Sequence, residues 1–193
     1  PADTPQFTIL GNAIDNASKW GITIHNSHYG LISKDVVYNT QGASIATEDG
    51  QESFNTFEEN FTVRTIGSGE PPYGGTGRKV GDYGHEGAGL WFRGPNNIVR
   101  NNVVANTSRL AMGVVVIDVP LGKPIKKLLN IPAFKGADPH MEGQYIALDM
   151  NHVPLRVWSG NESYGGVEDG LYFWELASQK HDYEPTTPQS VVK

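Results

Sequence analysis

The sequence predicts an all-β chain: a right-handed parallel β-helix of about five coils with two loop insertions. Three observations predict it. An apolar-x-x-Asn/Asp element recurs five times along the chain, and a Gly-led run of alternating residues follows each copy. Fixed recurrence of this kind marks stacked repeats. The composition agrees: 23 Gly, no Cys and abundant Asn, Thr and Val favour strands and tight turns over helices.

The Asn/Asp elements are Ile9-Leu10-Gly11-Asn12, Ile32-Ser33-Lys34-Asp35, Phe57-Glu58-Glu59-Asn60, Val99-Arg100-Asn101-Asn102 and Trp158-Ser159-Gly160-Asn161. Parallel strands lie about 4.8 Å apart, so equivalent residues of successive coils form columns. A column of Asn side chains can hydrogen-bond from rung to rung and satisfy amides that would otherwise be buried unpaired. The Gly elements run Gly21–His25, Gly42–Ala46, Gly89–Arg93, Gly113–Ile117 and Gly170–Trp174. Glycine there suits turn conformations that a Cβ resists. Each coil is thus read as one Asn/Asp strand and one Gly strand.

Period-2 alternation assigns the faces. Ile22/Ile24, Ala43/Ile45, Leu90/Phe92, Val114/Val116 and Leu171/Phe173 point inward. The outward columns are then Thr23, Ser44, Trp91, Val115 and Tyr172, followed by His25, Ala46, Arg93, Ile117 and Trp174. Residues 66–88 and 118–153 interrupt the register beside this face. Loops of that length in a compact fold are usually functional or disordered. The domain is read as residues 1–179, with a polar tail over 180–193.

Composition also excludes functions. A net charge of −6 argues against nucleic acid, which needs a basic face. The longest apolar stretch, Met112 to Ile117, is too short to insert across a membrane. Without cysteine there are neither disulfides nor thiolate metal sites.

Three large aromatics, a His and an Arg are unexpected on a plainly solvated strand face. Trp91, Arg93, Tyr172 and Trp174, with His85 from the first insertion, are candidate substrate-binding residues for an extended polysaccharide. Aromatic rings stack on the C–H faces of sugars, and Arg binds hydroxyls or carboxylates. A second reading stands beside it, in which these aromatics only pack beneath the insertions. At the edge of the face, Thr47-Glu48-Asp49-Gly50-Gln51-Glu52 is acidic. Glu48, Asp49 and His25 are candidate catalytic groups, since paired carboxylates serve as general acid and base in glycoside hydrolysis. Asp49, Glu52 and Asp118 are alternatively candidate ligands for Ca2+, which takes several oxygen donors. A lyase would combine such a calcium site with a basic residue. Solvated acidic turns are the plainer alternative.

At these residues a family resemblance emerges. Val36-Val37-Tyr38-Asn39-Thr40-Gln41-Gly42, then Thr47-Glu48-Asp49-Gly50 and Asn55-Thr56-Phe57, resembles the β-helix region of the CEMIP and transmembrane hyaluronidase family. Gly89-Leu90-Trp91-Phe92, Gly94-Pro95-Asn96-Asn97 and Gly160-Asn161-Glu162 follow in the same order. The resemblance spans residues 8–176. It implies a secreted or cell-surface domain that binds or depolymerises a polysaccharide, with hyaluronan the animal substrate, as hydrolase, lyase or non-catalytic module. It also implies a bacterial-type relative with flanking domains in a larger parent protein. Gly42-Ala43 stands where the resemblance leads one to expect Gly-His, so no catalytic histidine carries over at that position.

Overall fold

The computed structural model describes residues 4–67, 84, 86–118, 123–124, 128–132, 145–149, 153 and 155–174. For residues 4–5, 117–118, 174 and the strands within 118–153, only the backbone is described. Most strands fall into three five-stranded sheets whose ladders are all parallel. The chain is a parallel β-helix of five coils, as predicted. Each coil carries three strands, however, where two were expected.

The first wall comprises Thr8–Leu10, Leu31–Ser33, Thr56–Glu58, Ile98–Arg100 and Val157–Ser159. The second comprises Ala13–Asp15, Val36–Thr40, Phe61–Thr65, Val103–Thr107 and Glu162–Tyr164. The third comprises Ile22–Ile24, Ile45–Thr47, Leu90–Phe92, Met112–Val115 and Leu171–Trp174. The extra wall was hidden because the corner between walls one and two takes only two residues. The first is left-handed: Gly11, Lys34, Glu59, Asn101 and Gly160 all have φ between 55° and 67°. The second is the Asn or Asp of the repeat. So short a corner leaves no loop signature for the sequence reader.

Those Asn residues form the predicted ladder. Asn12 donates through Nδ2 to Asp35 Oδ1 at 2.8 Å, Asn60 to Asn102 Oδ1 at 3.0 Å and Asn102 to Asn161 Oδ1 at 2.9 Å. Three rungs also close on backbone: Nδ2 of Asn60, Asn102 and Asn161 reaches the carbonyls of Ile32, Phe57 and Val99. Successive rungs are 23, 25, 42 and 59 residues apart, so the jumps locate the two insertions within the third and fourth turns of the chain. The second insertion carries two antiparallel pairs, Ile117–Asp118 with Lys123–Pro124 and Leu128–Pro132 with Tyr145–Asp149, where a plain loop was expected.

The Gly column needs correction in both membership and cause. Backbone bonds align Gly21, Ser44, Gly89, Ala111 and Gly170, leaving Gly42 and Gly113 outside it. None of Gly21, Gly89 and Gly170 has positive φ. The column is small because it is crowded: a Cβ at Gly89 would lie 2.2 Å from Val104 Cγ1, and one at Gly21 2.5 Å from Val37 Cγ1. Sterics against wall two, not turn geometry, select glycine here.

Inside the coil, Ile22, Ile45, Leu90 and Met112 form one inward column, and Ile24, Thr47, Phe92 and Val114 the next. Phe57, Phe92, Trp158 and Phe173 interlock edge to face at centroid distances of 4.7, 5.7 and 5.3 Å. Two expected placements change. Ala43, expected inward, packs outside the coil, while Ser44, expected outward, turns in and bonds Thr65 Oγ1 at 2.7 Å. The strand starts only at Ile45, so alternation read from Gly42 begins too early and is odd by one for these two residues.

Candidate functional site

The true register of wall three assembles the site. Ile24 pairs with Thr47, and Thr47 with Phe92, so the next outward column runs His25, Glu48, Arg93 and Val115, with Trp174 at the register position that follows. Alternation counted from the glycines instead puts Ala46 and Ile117 in the places of Glu48 and Val115. With Glu48 directly above His25, their side chains meet: His25 Nε2 lies 2.6 Å from Glu48 Oε2. On the other ring edge, Nδ1 lies 3.4 Å from Asp49 Oδ2. The imidazole is 48% exposed, and the two carboxylates are 23% and 29% exposed. A half-open imidazole flanked by two partly open carboxylates results. This unites all three residues nominated as catalytic.

Neighbouring groups frame the cluster. Arg93 donates from Nη1 to the Glu48 carbonyl at 3.1 Å, and its backbone N–H donates to Thr47 Oγ1 at 3.0 Å. Arg93 therefore braces the strand end that carries Glu48. Trp20 lies tilted beside His25 with centroids 6.4 Å apart, and Lys19 sits 4.0 Å above the indole. Trp20 precedes Gly21 by one residue and so falls before the alternating pattern that marks the face.

Glu52 has a different part from the one predicted. It is fully buried, and Oε1 accepts the backbone N–H groups of Asn26 and Asp49, both at 3.0 Å. Its Oε2 accepts Gly50 N–H at 2.7 Å. The Glu52 carbonyl in turn accepts Asn97 Nδ2 at 2.9 Å, within a second Asn ladder formed with Asn55. Glu52 thus ties the acidic turn to the corner after His25 and holds Asp49 in place. Burial, reinforced by the Asp49 charge, outweighs the three amide donors and pushes the carboxyl up to about 7 from 4.5.

That shift has a sign. Between pH 4.5 and about 7 the folded chain keeps a proton that the unfolded chain has lost, so folding weakens as pH rises through this window. The loss amounts to about 3 kcal/mol. We expect the urea midpoint of the wild type, measured against Glu52→Gln at each pH, to fall between pH 4.5 and 8. Parallel curves for the two proteins would show that Glu52 titrates normally.

The other nominated residues separate. Trp91 is only 7% exposed and packs with Ala43, Ala46, Ala88, Leu110 and Val115 in a small core outside the coil. Gly84 closes over it: a Cβ there would lie 3.3 Å from Trp91 Cγ. This corrects its placement on an open platform; the indole packs beneath the end of the first insertion. Tyr172 is half-buried against the same cluster. His85 and the side chains of Trp174 and Asp118 lie outside the described residues. Of the calcium candidates, Glu52 has both oxygens on backbone N–H donors and Asp49 faces His25. Among the described residues, no three His, Asp or Glu side chains converge as a metal site would require. No helix among them is long and apolar enough to cross a membrane.

Comparison with known proteins gives a consistent picture. A family model described as the CEMIP β-helix matches residues 2–171. Fibrocystin-L of Homo sapiens is 32% identical over 97 residues, covering 50% of this chain and 2% of that protein. Fibrocystin-L of Mus musculus is 29% identical over 157 residues, covering 78% and 4%. The cell migration-inducing and hyaluronan-binding protein of Mus musculus is 26% identical over 167 residues, covering 78% and 11%. The chain therefore spans a small part of each of these relatives. No solved structure matches the chain.

Proposed function

Because the chain belongs to the CEMIP β-helix family, we propose that it is an extracellular polysaccharide-binding or polysaccharide-processing domain for a uronate-containing polymer. A relative whose name records hyaluronan binding supports the ligand class. The observation that carries the reading is the imidazole of His25 held between the Glu48 and Asp49 carboxylates on an open wall. Carboxylates and imidazole are groups that bind sugar hydroxyls, and the 2.6 Å contact keeps His25 and Glu48 within reach of one reacting group. Processing would use this pair as acid and base. Localisation at the cell surface or outside it follows from the ligand, and flanking domains follow from the much longer relatives.

A non-catalytic binding module is the second reading. It is favoured by Arg93, which meets the Glu48 backbone and so braces the site. One experiment separates the two. The protein is incubated with uronate-containing and neutral polysaccharides, and reducing ends and unsaturated products are measured. Processing predicts products from a uronate polymer, lost at least a hundredfold in His25→Ala. A binding module gives retention of the uronate polymer, weakened by the same variant, with no product. Neither retention nor product from any polymer would overturn the proposal.

A further inference from the structure

A second feature lies around the corner from the His25 cluster, on wall one. A groove of about 440 Å3 runs between Gln6, Thr8, Tyr29, Leu31, Phe54 and Thr56. That volume falls in the ~300–1,000 Å3 range of small-ligand sites. Tyr29 and Phe54 stand in successive coils with left-handed backbones, φ 58° and 61°. Their rings stack at 5.0 Å and 13°, and both remain half-exposed. The Arg156 guanidinium lies 4.4 Å from the Phe54 centroid. Its charge also reaches the Tyr29 hydroxyl, where it works against the upward push of burial on that group.

Arg156 differs from the other described arginines. Arg64 donates to the Tyr38 hydroxyl, Arg93 to the Glu48 carbonyl, Arg100 to Glu58 and Arg109 to Glu168. Arg156 is exposed and, among the described residues, has no hydrogen-bond acceptor or carboxylate partner, on a chain of net charge −6. An exposed cation with no acceptor among the described residues stands over Phe54, which with its stacking partner Tyr29 lines a groove edged by an amide and two hydroxyls. We propose that this groove is a second saccharide site, taking one acidic sugar of a glycan, with its anionic group on Arg156 and its ring against the edge of the Tyr29–Phe54 pair.

Both a uronate carboxylate and a sulfate ester carry the required charge, and Arg pairs with either in bidentate fashion. The inference rests on the carbohydrate reading of the chain but uses none of the His25 cluster. The test is titration of the full chain with a glucuronate-containing tetrasaccharide, a sulfated neutral tetrasaccharide and an uncharged one, followed by amide NMR shifts. Saturable shifts at Thr8, Leu31 and Thr56 are expected with one or both charged ligands, and the uncharged one should bind roughly tenfold more weakly. Arg156→Gln should remove that difference and leave the fold intact, because the side chain is exposed. Tyr29→Asn, which suits a left-handed residue, should weaken charged and uncharged ligands alike. Unchanged shifts in Arg156→Gln would overturn the proposal even if Tyr29→Asn fails to fold. Shifts confined to His25, Glu48 and Asp49 would overturn the second site while sparing the first. No binding anywhere would overturn both.

Discussion

Ile45→Asp is expected to leave the chain without a cooperative unfolding transition at neutral pH. Ile45 is fully buried between Ile22 below and Leu90 above, in the hydrophobic column of wall three. Removing its side chain costs about 2–5 kcal/mol through lost transfer energy and the cavity left behind. The carboxylate adds several kcal/mol more, since the Ile22 and Leu90 side chains that flank it offer no donor to compensate its lost hydration. Together these match or exceed the ~5–15 kcal/mol that stabilises a typical domain. Far-UV circular dichroism with a urea titration checks this, and acidification should return part of the structure because a protonated Asp is less costly to bury. A near wild-type midpoint at neutral pH would mean that the column does not face inward.

Trp91→Ala has the second largest expected effect, about 3–5 kcal/mol of lost stability. The indole fills the outer core between Ala43, Ala46 and Ala88 on one side and Leu110 and Val115 on the other. These small neighbours cannot collapse far into the space, and Gly84 would lose its seat over the ring. Polymer affinity per folded molecule should stay within twofold, because the ring is not open to a ligand. A lowered urea midpoint with retained affinity supports this placement. An unchanged midpoint with lost binding would return Trp91 to an exposed platform.

These two positions show how legible the chain was. Ile45 sits in a strand whose alternation can be read from its neighbours, and its inward placement was correct. Trp91 was correctly read as leaving the coil, yet leaving the coil did not mean reaching solvent. What covers it comes from the end of a 23-residue interruption, residues 66–88, whose return path no local pattern encodes. The His25–Glu48 contact was missed for a related reason. Aligning Gly42 with Gly21 put Ala46 over His25, whereas the ladder sets Ala46 over Thr23 and Glu48 over His25. All three catalytic candidates were nominated as types, but their meeting depended on a shift that the glycines concealed. The wall-one groove left no sequence signal, since Tyr29, Phe54 and Arg156 belong to no repeated motif and come from three different coils.

Sequence by itself determined that this chain coils and how often. Those properties follow from a repeated short-range pattern: apolar residues alternating in each strand, and an Asn or Asp at each corner whose ladder requires an equivalent partner above and below. Only the tertiary structure decided which residues share a rung, which outward side chains stay open, and which charges meet. Rung register is set by corner geometry and by steric crowding between walls, as at Gly21 and Gly89 against Val37 and Val104. Those contacts join residues more than ten positions apart, so no local pattern can report them.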